Sequence, residues 1–156
     1  MLGIFAGVYF WFPKMFGRKM NDRLGRTHFW LTFVPMITIF LLMHMQGFGG
    51  MLRRSFDATI YDYNAANTGL RVPITLTAFI LFCGQVIFLW NFFRSIRKGE
   101  KVGENPWEAT TLEWNTPSPA PHGNFGAELP VVHRWPYEYS LEEGDRDYIP
   151  QAEGGA

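Results

Sequence analysis

The 156-residue chain has a formal net charge of zero and is 17 % aromatic, which excludes the basic footprint of a nucleic-acid-binding protein. Its long apolar runs all lie before Arg94, too unevenly placed for one soluble core. The single cysteine, Cys83, sits inside an apolar run, so neither a disulfide nor a cysteine-based metal site can be built from it.

The first apolar segment, Met1 to Phe16, is uncharged only as far as Lys14. As a helix that part would rise about 20 Å, short of a hydrocarbon core of about 30 Å, and Pro13 limits its regularity. It is either a re-entrant or interfacial piece, or the second half of a spanning helix begun on another polypeptide. The segment starts fully apolar, without a cap or polar lead-in, which favours the second and marks the chain as a fragment or split subunit. It does not read as a signal peptide, since no basic leader precedes Leu2.

Lys14, Arg18, Lys19, Arg23 and Arg26 follow, with Asp22 the only acid among them. A helix is predicted over about 27–47. From His28 to Met45 it has no charged residue and is apolar on every face, as suits lipid or a membrane-protein interior. Pro35 should kink it. The run breaks at Gly47, Gly49 and Gly50 and delivers Arg53 and Arg54. A polar loop, SFDATIYDYNAANTG, leads to Arg71 and a third apolar run predicted as a helix over 72–98. Pro73 lies near its first turn, where proline is tolerated, and RSIRK closes it with basic side chains.

The basic residues of the first loop and of RSIRKGEK place both on the cytoplasmic side. The loop bearing Arg53, Arg54 and Arg71 then faces the opposite, outer side. From Gly103 onward frequent prolines exclude long helices and central strands, yet Trp107, Trp114, Phe125, Trp135, Tyr137 and Tyr139 are too many aromatics for a pure disordered tail. Ten carboxylates from Glu104 to Glu153 face only Lys101, Arg134 and Arg146 there. The stretch from Glu142 to Ala156, acidic and ending in glycines, is expected to be mobile. The predicted architecture is therefore an all-α membrane protein with half of one transmembrane helix (about 1–16) and two full ones (27–47 and 72–98). The membrane part is 1–102, and an extended Pro- and aromatic-rich cytoplasmic tail follows over 103–156.

Arg53 and Arg54 form a candidate anion clamp, because guanidinium stays charged and can grip carboxylates bidentately. The alternative is that they rest among lipid headgroups. Positive charge kept on the side the charge rule disfavours shifts the balance toward a bound partner. Asp57 and Asp62 could pair with Arg53, Arg54 or Arg71, or belong to a solvated loop. His44, near the outer end of its helix, reads as a hydrogen-bonding residue in a buried polar layer. His28 lies sixteen residues away at the other end, so the two cannot share an ion. His122 and His133 lack ligand spacing, so no metal site from this chain alone is expected. No phosphate loop, nucleophile–base pair or paired-carboxylate site is visible.

FAGVYFWFPKMFGRKMNDRLGRTHFW, then GFGGMLRR, then NPWEATTLEWNTPSPAP and PYEYS together resemble the carboxy-terminal part of subunit I of haem–copper cytochrome c oxidases. The resemblance covers nearly the whole chain apart from the last dozen or so residues. It implies the end of the tenth helix, the eleventh and twelfth helices, and the cytoplasmic tail. The family's Gly-Met-Pro-Arg-Arg motif falls on Gly50 to Arg54, and its arginines contact haem propionates. Arg53 and Arg54 would then be the propionate clamp, with His44 matching a histidine near that layer. Leu52 stands where the family has proline, Leu42-Met43 where Pro and a polar or Met residue are common, and the loop after Ser55 also departs. The resemblance further implies haem a and haem a3 contacted but not ligated by this chain, and copper B bound by an upstream segment. Its partners would be the amino-terminal piece of subunit I, subunits II and III, cytochrome c as donor, and lipid of a bacterial plasma membrane or respiratory inner membrane. The assembled complex would reduce dioxygen and pump protons. A non-catalytic membrane scaffold and a quinol-oxidising relative are the alternatives.

Overall fold

The computed structural model describes residues 1–52, 54, 57, 61–126, 129–138 and 149–154, with the backbone alone over 63–66. Apolar runs become helices where expected: α1 spans Leu2–Phe16, α2 Asp22–Phe48 and α3 Arg71–Lys98. Helix α2 starts five residues before the apolar run predicted at 27, because the charged turn is itself helix-compatible. Asp22 lies in its first turn, where a carboxylate complements the positive end of the helix dipole. The helix is continuous through Pro35. By length and composition, α2 and the stretch from Asn67 to Lys98 are each able to cross a membrane. At 1.5 Å per residue α2 and α3 themselves each rise about 40 Å. The chain separates into two compact units, 1–21 with 93–156, and 22–92.

In the unit 22–92, α2 and α3 run antiparallel. Gln85 Nε2 donates to Thr32 Oγ1 (3.0 Å), and the His28 ring lies 5.0 Å from that of Phe88. At Gly84 an added Cβ would stand only 3.1–3.2 Å from Leu31 Cβ and backbone, so glycine is what lets the helices meet closely. The buried residues of α2 are His28, Thr32, Pro35 and Gln46, and on α3 Asn91 is fully buried. Outside lie Phe40, Leu41, Phe79, Phe82 and Trp90, each more than half exposed. This is a soluble protein's pattern inverted. Apolar surface on that scale is stable only against lipid or further protein.

The other unit is organised by α1. Gly17 ends the helix in the left-handed region (φ 65°), its N–H bonded to the Pro13 carbonyl at 2.7 Å. The next residues form β1 (Arg18–Lys19), which pairs antiparallel with β2 (Glu100–Lys101), Arg18 opposite Lys101. This two-residue ribbon is a small departure from an all-helical expectation. Against α1 the polypeptide beyond β2 packs with few regular elements, a 3-10 turn over Leu112–Asn115 being the main one. Phe12, Met20 and Trp114 are its buried apolar residues. Phe10 packs edge-on against Trp114 (5.0 Å) and stacks with Trp107 (6.2 Å), and Trp107 Nε1 donates to the Phe10 carbonyl at 2.9 Å.

The strongest tie is Lys14, which is 92 % buried by its 8 % exposure. Its Nζ donates to the carbonyls of Glu104 (2.9 Å) and Thr116 (2.5 Å) and lies 5.2 Å from the Trp114 ring centre. The expectation of a mobile C-terminal stretch fails over 149–154. There Gln151 is buried, its backbone N–H donating to Thr110 O and its carbonyl accepting from His133 N–H. Its side chain accepts from Leu112 N–H and donates to Arg134 O. The other residues of that stretch lie outside the described set.

Candidate functional site: a glycine turn that carries an arginine

The candidate site is the turn where α2 ends. An α-helix leaves its last carbonyls without partners, and a left-handed residue just past the end lets later N–H groups reach back. Gly50 supplies that residue at φ 89°. Gly50 N–H bonds to the Gly47 carbonyl and Met51 N–H to the Gln46 carbonyl, both at 3.0 Å. This pair of bonds is the Schellman cap, and it fixes the direction in which the chain leaves the helix.

A second restraint comes from the 3-10 segment Asp62–Leu70. Asn67 Nδ2 donates to the Gly49 carbonyl (3.0 Å), and the Asn67 carbonyl accepts from Gln46 Nε2 (3.3 Å). A Cβ on Gly49 would overlap the Asn67 carboxamide, so glycine is needed at 49 for closeness and at 50 for its backbone angle.

Four residues past Gly50 the chain presents Arg54, exposed and itself left-handed at φ 64°. Neither Arg54 nor Arg71 makes an ion pair with Asp57, Asp62 or any other carboxylate among the described residues. Arg53 lies outside the described residues. His44 is exposed, sixteen residues from His28 along the same helix, and its Nδ1–H donates to the Phe40 carbonyl one turn back at 3.2 Å. Among the described residues no group of three His, Cys, Asp or Glu could hold a metal ion. What the arrangement offers chemically is a solvent-facing guanidinium on a doubly restrained turn, suited to an anionic group. Gln46 and Asn67 were not singled out by sequence reasoning. A glycine pair ending an apolar helix marks the cap, but nothing local marks its distant partner.

Comparison with known proteins identifies the family. Residues 1–80 match the family described as cytochrome c and quinol oxidase polypeptide I, a span that contains α1, α2, the turn and the start of α3. The chain is 44 % identical over 152 residues to the alternative cytochrome c oxidase subunit 1 of Bradyrhizobium diazoefficiens, covering 95 % of this chain and 25 % of that protein. It is 45 % identical over 139 residues to cytochrome c oxidase subunit 1 of Synechocystis, covering 89 % and 24 %. A probable cytochrome c oxidase subunit 1-beta of Nocardia farcinica shares 48 % over 130 residues, covering 82 % and 21 %. The chain thus spans about a quarter of the length of the curated relatives it matches. With its two membrane-length apolar helices, the chain belongs to the cytochrome c and quinol oxidase polypeptide I family.

Proposed function

We propose that this chain is the carboxy-terminal piece of a haem–copper oxidase subunit I, and that Arg54, with Arg53, neutralises haem propionates on the outer side of the membrane. The observation that carries the reading is Arg54 itself: a guanidinium held beyond a capped membrane-length helix, with no carboxylate partner among the described residues. The donor chemistry fits the group. A propionate is an ionised carboxylate, and guanidinium is the side chain that meets carboxylates bidentately. Haem a and haem a3, when bound, supply the redox chemistry, and copper B belongs to the upstream segment together with the haem ligands.

The residues of this chain act on that chemistry through charge. A fixed cation stabilises the ionised propionate and favours the less positive, reduced state of a nearby haem. His44 lies on the same helix, two residues before Gln46, and offers Nε2 to the propionate layer. The amino-terminal piece of subunit I, subunits II and III, and lipid cover the exposed apolar faces of α2 and α3, and α1 is completed by the preceding half-helix. Residues 1–102 form the membrane part and 103–156 a cytoplasmic tail, an orientation supported by the basic residues flanking the helices. The complex takes electrons from cytochrome c, reduces dioxygen and pumps protons, in a bacterial plasma membrane or respiratory inner membrane.

The test is purification in mild detergent, with mass spectrometry and a reduced-minus-oxidised spectrum. An a-type haem band with a second, histidine-bearing polypeptide is expected; a colourless complex would support a non-catalytic scaffold instead. In the assembled enzyme, Arg54→Leu should lower a haem midpoint potential by on the order of tens of millivolts, the reach of one nearby charge in a partly solvated site. Unchanged potentials in a spectroelectrochemical titration would remove the proposed clamp.

A further inference from the structure

We infer that Asn67 is a positioning residue for Arg54: its carboxamide, bonded to the Gly49 carbonyl, holds the turn that aims the guanidinium. This inference rests on the propionate reading of Arg54 given above. A helix-terminal carbonyl such as that of Gly49 has no partner within its own helix, and Asn67 Nδ2 supplies one at 3.0 Å from a segment eighteen residues downstream. The Asn67 backbone carbonyl takes Gln46 Nε2, and Gln46 is buried. Gln46 O in turn receives Met51 N–H. The three residues Gln46, Gly49 and Met51 are therefore tied to one another and to Asn67, leaving a short lever to Arg54.

That lever matters because Arg54 sits at φ 64°, a conformation that a non-glycine residue keeps only when its surroundings enforce it. A guanidinium held in one place stabilises a carboxylate more than the same charge averaged over many positions. Loosening the turn should therefore cost part of the electrostatic effect of Arg54 without removing its charge. The absence of a side chain at position 49 belongs to the same device, since a Cβ would expel the Asn67 carboxamide.

The test is a redox titration of the assembled oxidase, followed optically, for Asn67→Ala, Gly49→Ala, Arg54→Leu and the Asn67→Ala/Arg54→Leu double variant. Asn67→Ala should lower the haem midpoint potential by less than Arg54→Leu does, and the double variant should fall no further than Arg54→Leu alone. Amide hydrogen exchange should quicken at Gly50 and Met51 in Asn67→Ala. Gly49→Ala, which displaces the carboxamide while keeping it, should lower the potential in the same way and supplies the reading if Asn67→Ala fails to assemble. A lowered potential for Arg54→Leu with wild-type values for Asn67→Ala or Gly49→Ala overturns this inference and leaves the clamp standing. A further fall in the double variant also overturns it, because Asn67 would then act on the haem independently of Arg54. An unchanged Arg54→Leu overturns both.

Discussion

Replacing Lys14 by Met tests the tie between α1 and the chain beyond β2. The two side chains are similar in length, so the exchange removes charge and donors while leaving little cavity. Two hydrogen bonds from a charged donor are lost, to Glu104 O and Thr116 O, each worth about 1.5–3 kcal/mol. The cation–π contact with Trp114 adds about 0.5–2 kcal/mol. Against this stands the recovered cost of keeping an ammonium out of water, which cancels a large share of the gain. Ser118 Oγ also reaches Glu104 O, at 3.4 Å, but Thr116 is buried and its carbonyl would be left without the lysine. The balance is about 3 kcal/mol, or about a hundredfold in a local opening equilibrium. Hydrogen exchange of the detergent-solubilised complex, read over residues 104–118, should quicken by about that factor. Lys19→Met serves as the control. Lys19 also lies 5.2 Å from an aromatic ring centre, that of Trp107, but at a half-exposed position where such a contact is worth about 0.5–1 kcal/mol. If Lys14→Met exchanges like the wild type, or no faster than Lys19→Met, the tie is not made by buried donors.

Two further substitutions probe the packing of each unit. Gly84→Leu places a side chain where even a Cβ would stand 3.1–3.2 Å from Leu31; it should destabilise the complex by about 1–3 kcal/mol, the usual penalty of overpacking, seen as a lower denaturation midpoint in detergent, and wild-type stability would disprove the close helix contact. Gln151→Ala removes the side-chain bonds to Leu112 N–H and Arg134 O, leaving part-buried backbone groups unsatisfied at about 1–3 kcal/mol; protease cleavage around His133 to Pro136 should accelerate by about fivefold or more by the same arithmetic, and equal cleavage rates would count against the ordered 149–154 stretch.

The sequence was most legible where one physical signal dominates. The predicted helix ends at 16, 47 and 98 fall within a residue of those at Phe16, Phe48 and Lys98; in α2 the same glycines that stop the hydrophobic pattern also supply the cap. The start of α2 was less legible. Hydropathy marks where a helix turns apolar, whereas Asp22 to Arg26 are polar yet helical. The arginine turn could be located from GFGGMLRR, but its second restraint could not: Asn67 meets Gly49 across eighteen residues, and a hydrogen bond of that kind leaves no period or composition to read. Gln151 escaped for the same reason. Its partners Thr110, Leu112, His133 and Arg134 lie 17 to 41 positions away along a chain with little regular structure, and the acidic, glycine-ending composition around it pointed to mobility.

The side-chain hydrogen bonds of the two units differ in kind, and the difference bears on which part meets lipid. In the unit 22–92, Thr27, Thr38, Thr75 and Thr77 each donate to the carbonyl one turn back in their own helix, as His44 does. A hydroxyl satisfied in this way needs no water and no second element, which is the condition a helix faces in a bilayer. Between elements, Gln85 bonds Thr32, and the Gln46–Asn67–Gly49 set ties the end of α2. In the other unit the pattern reverses. Lys14, Arg18, Trp107, Thr110 and Gln151 all reach across long stretches of sequence to backbone groups. Apart from the Phe10 carbonyl, which lies in α1, those backbone groups belong to irregular chain, which has no ladder of its own and must borrow donors and acceptors from side chains. Such chain is excluded from the hydrocarbon region unless protein buries it. The division of bonding therefore agrees with hydropathy and with the placement of the basic residues: α2 and most of α3 are built for lipid, and the polypeptide beyond β2 is built to be held against the end of α1 by polar contacts.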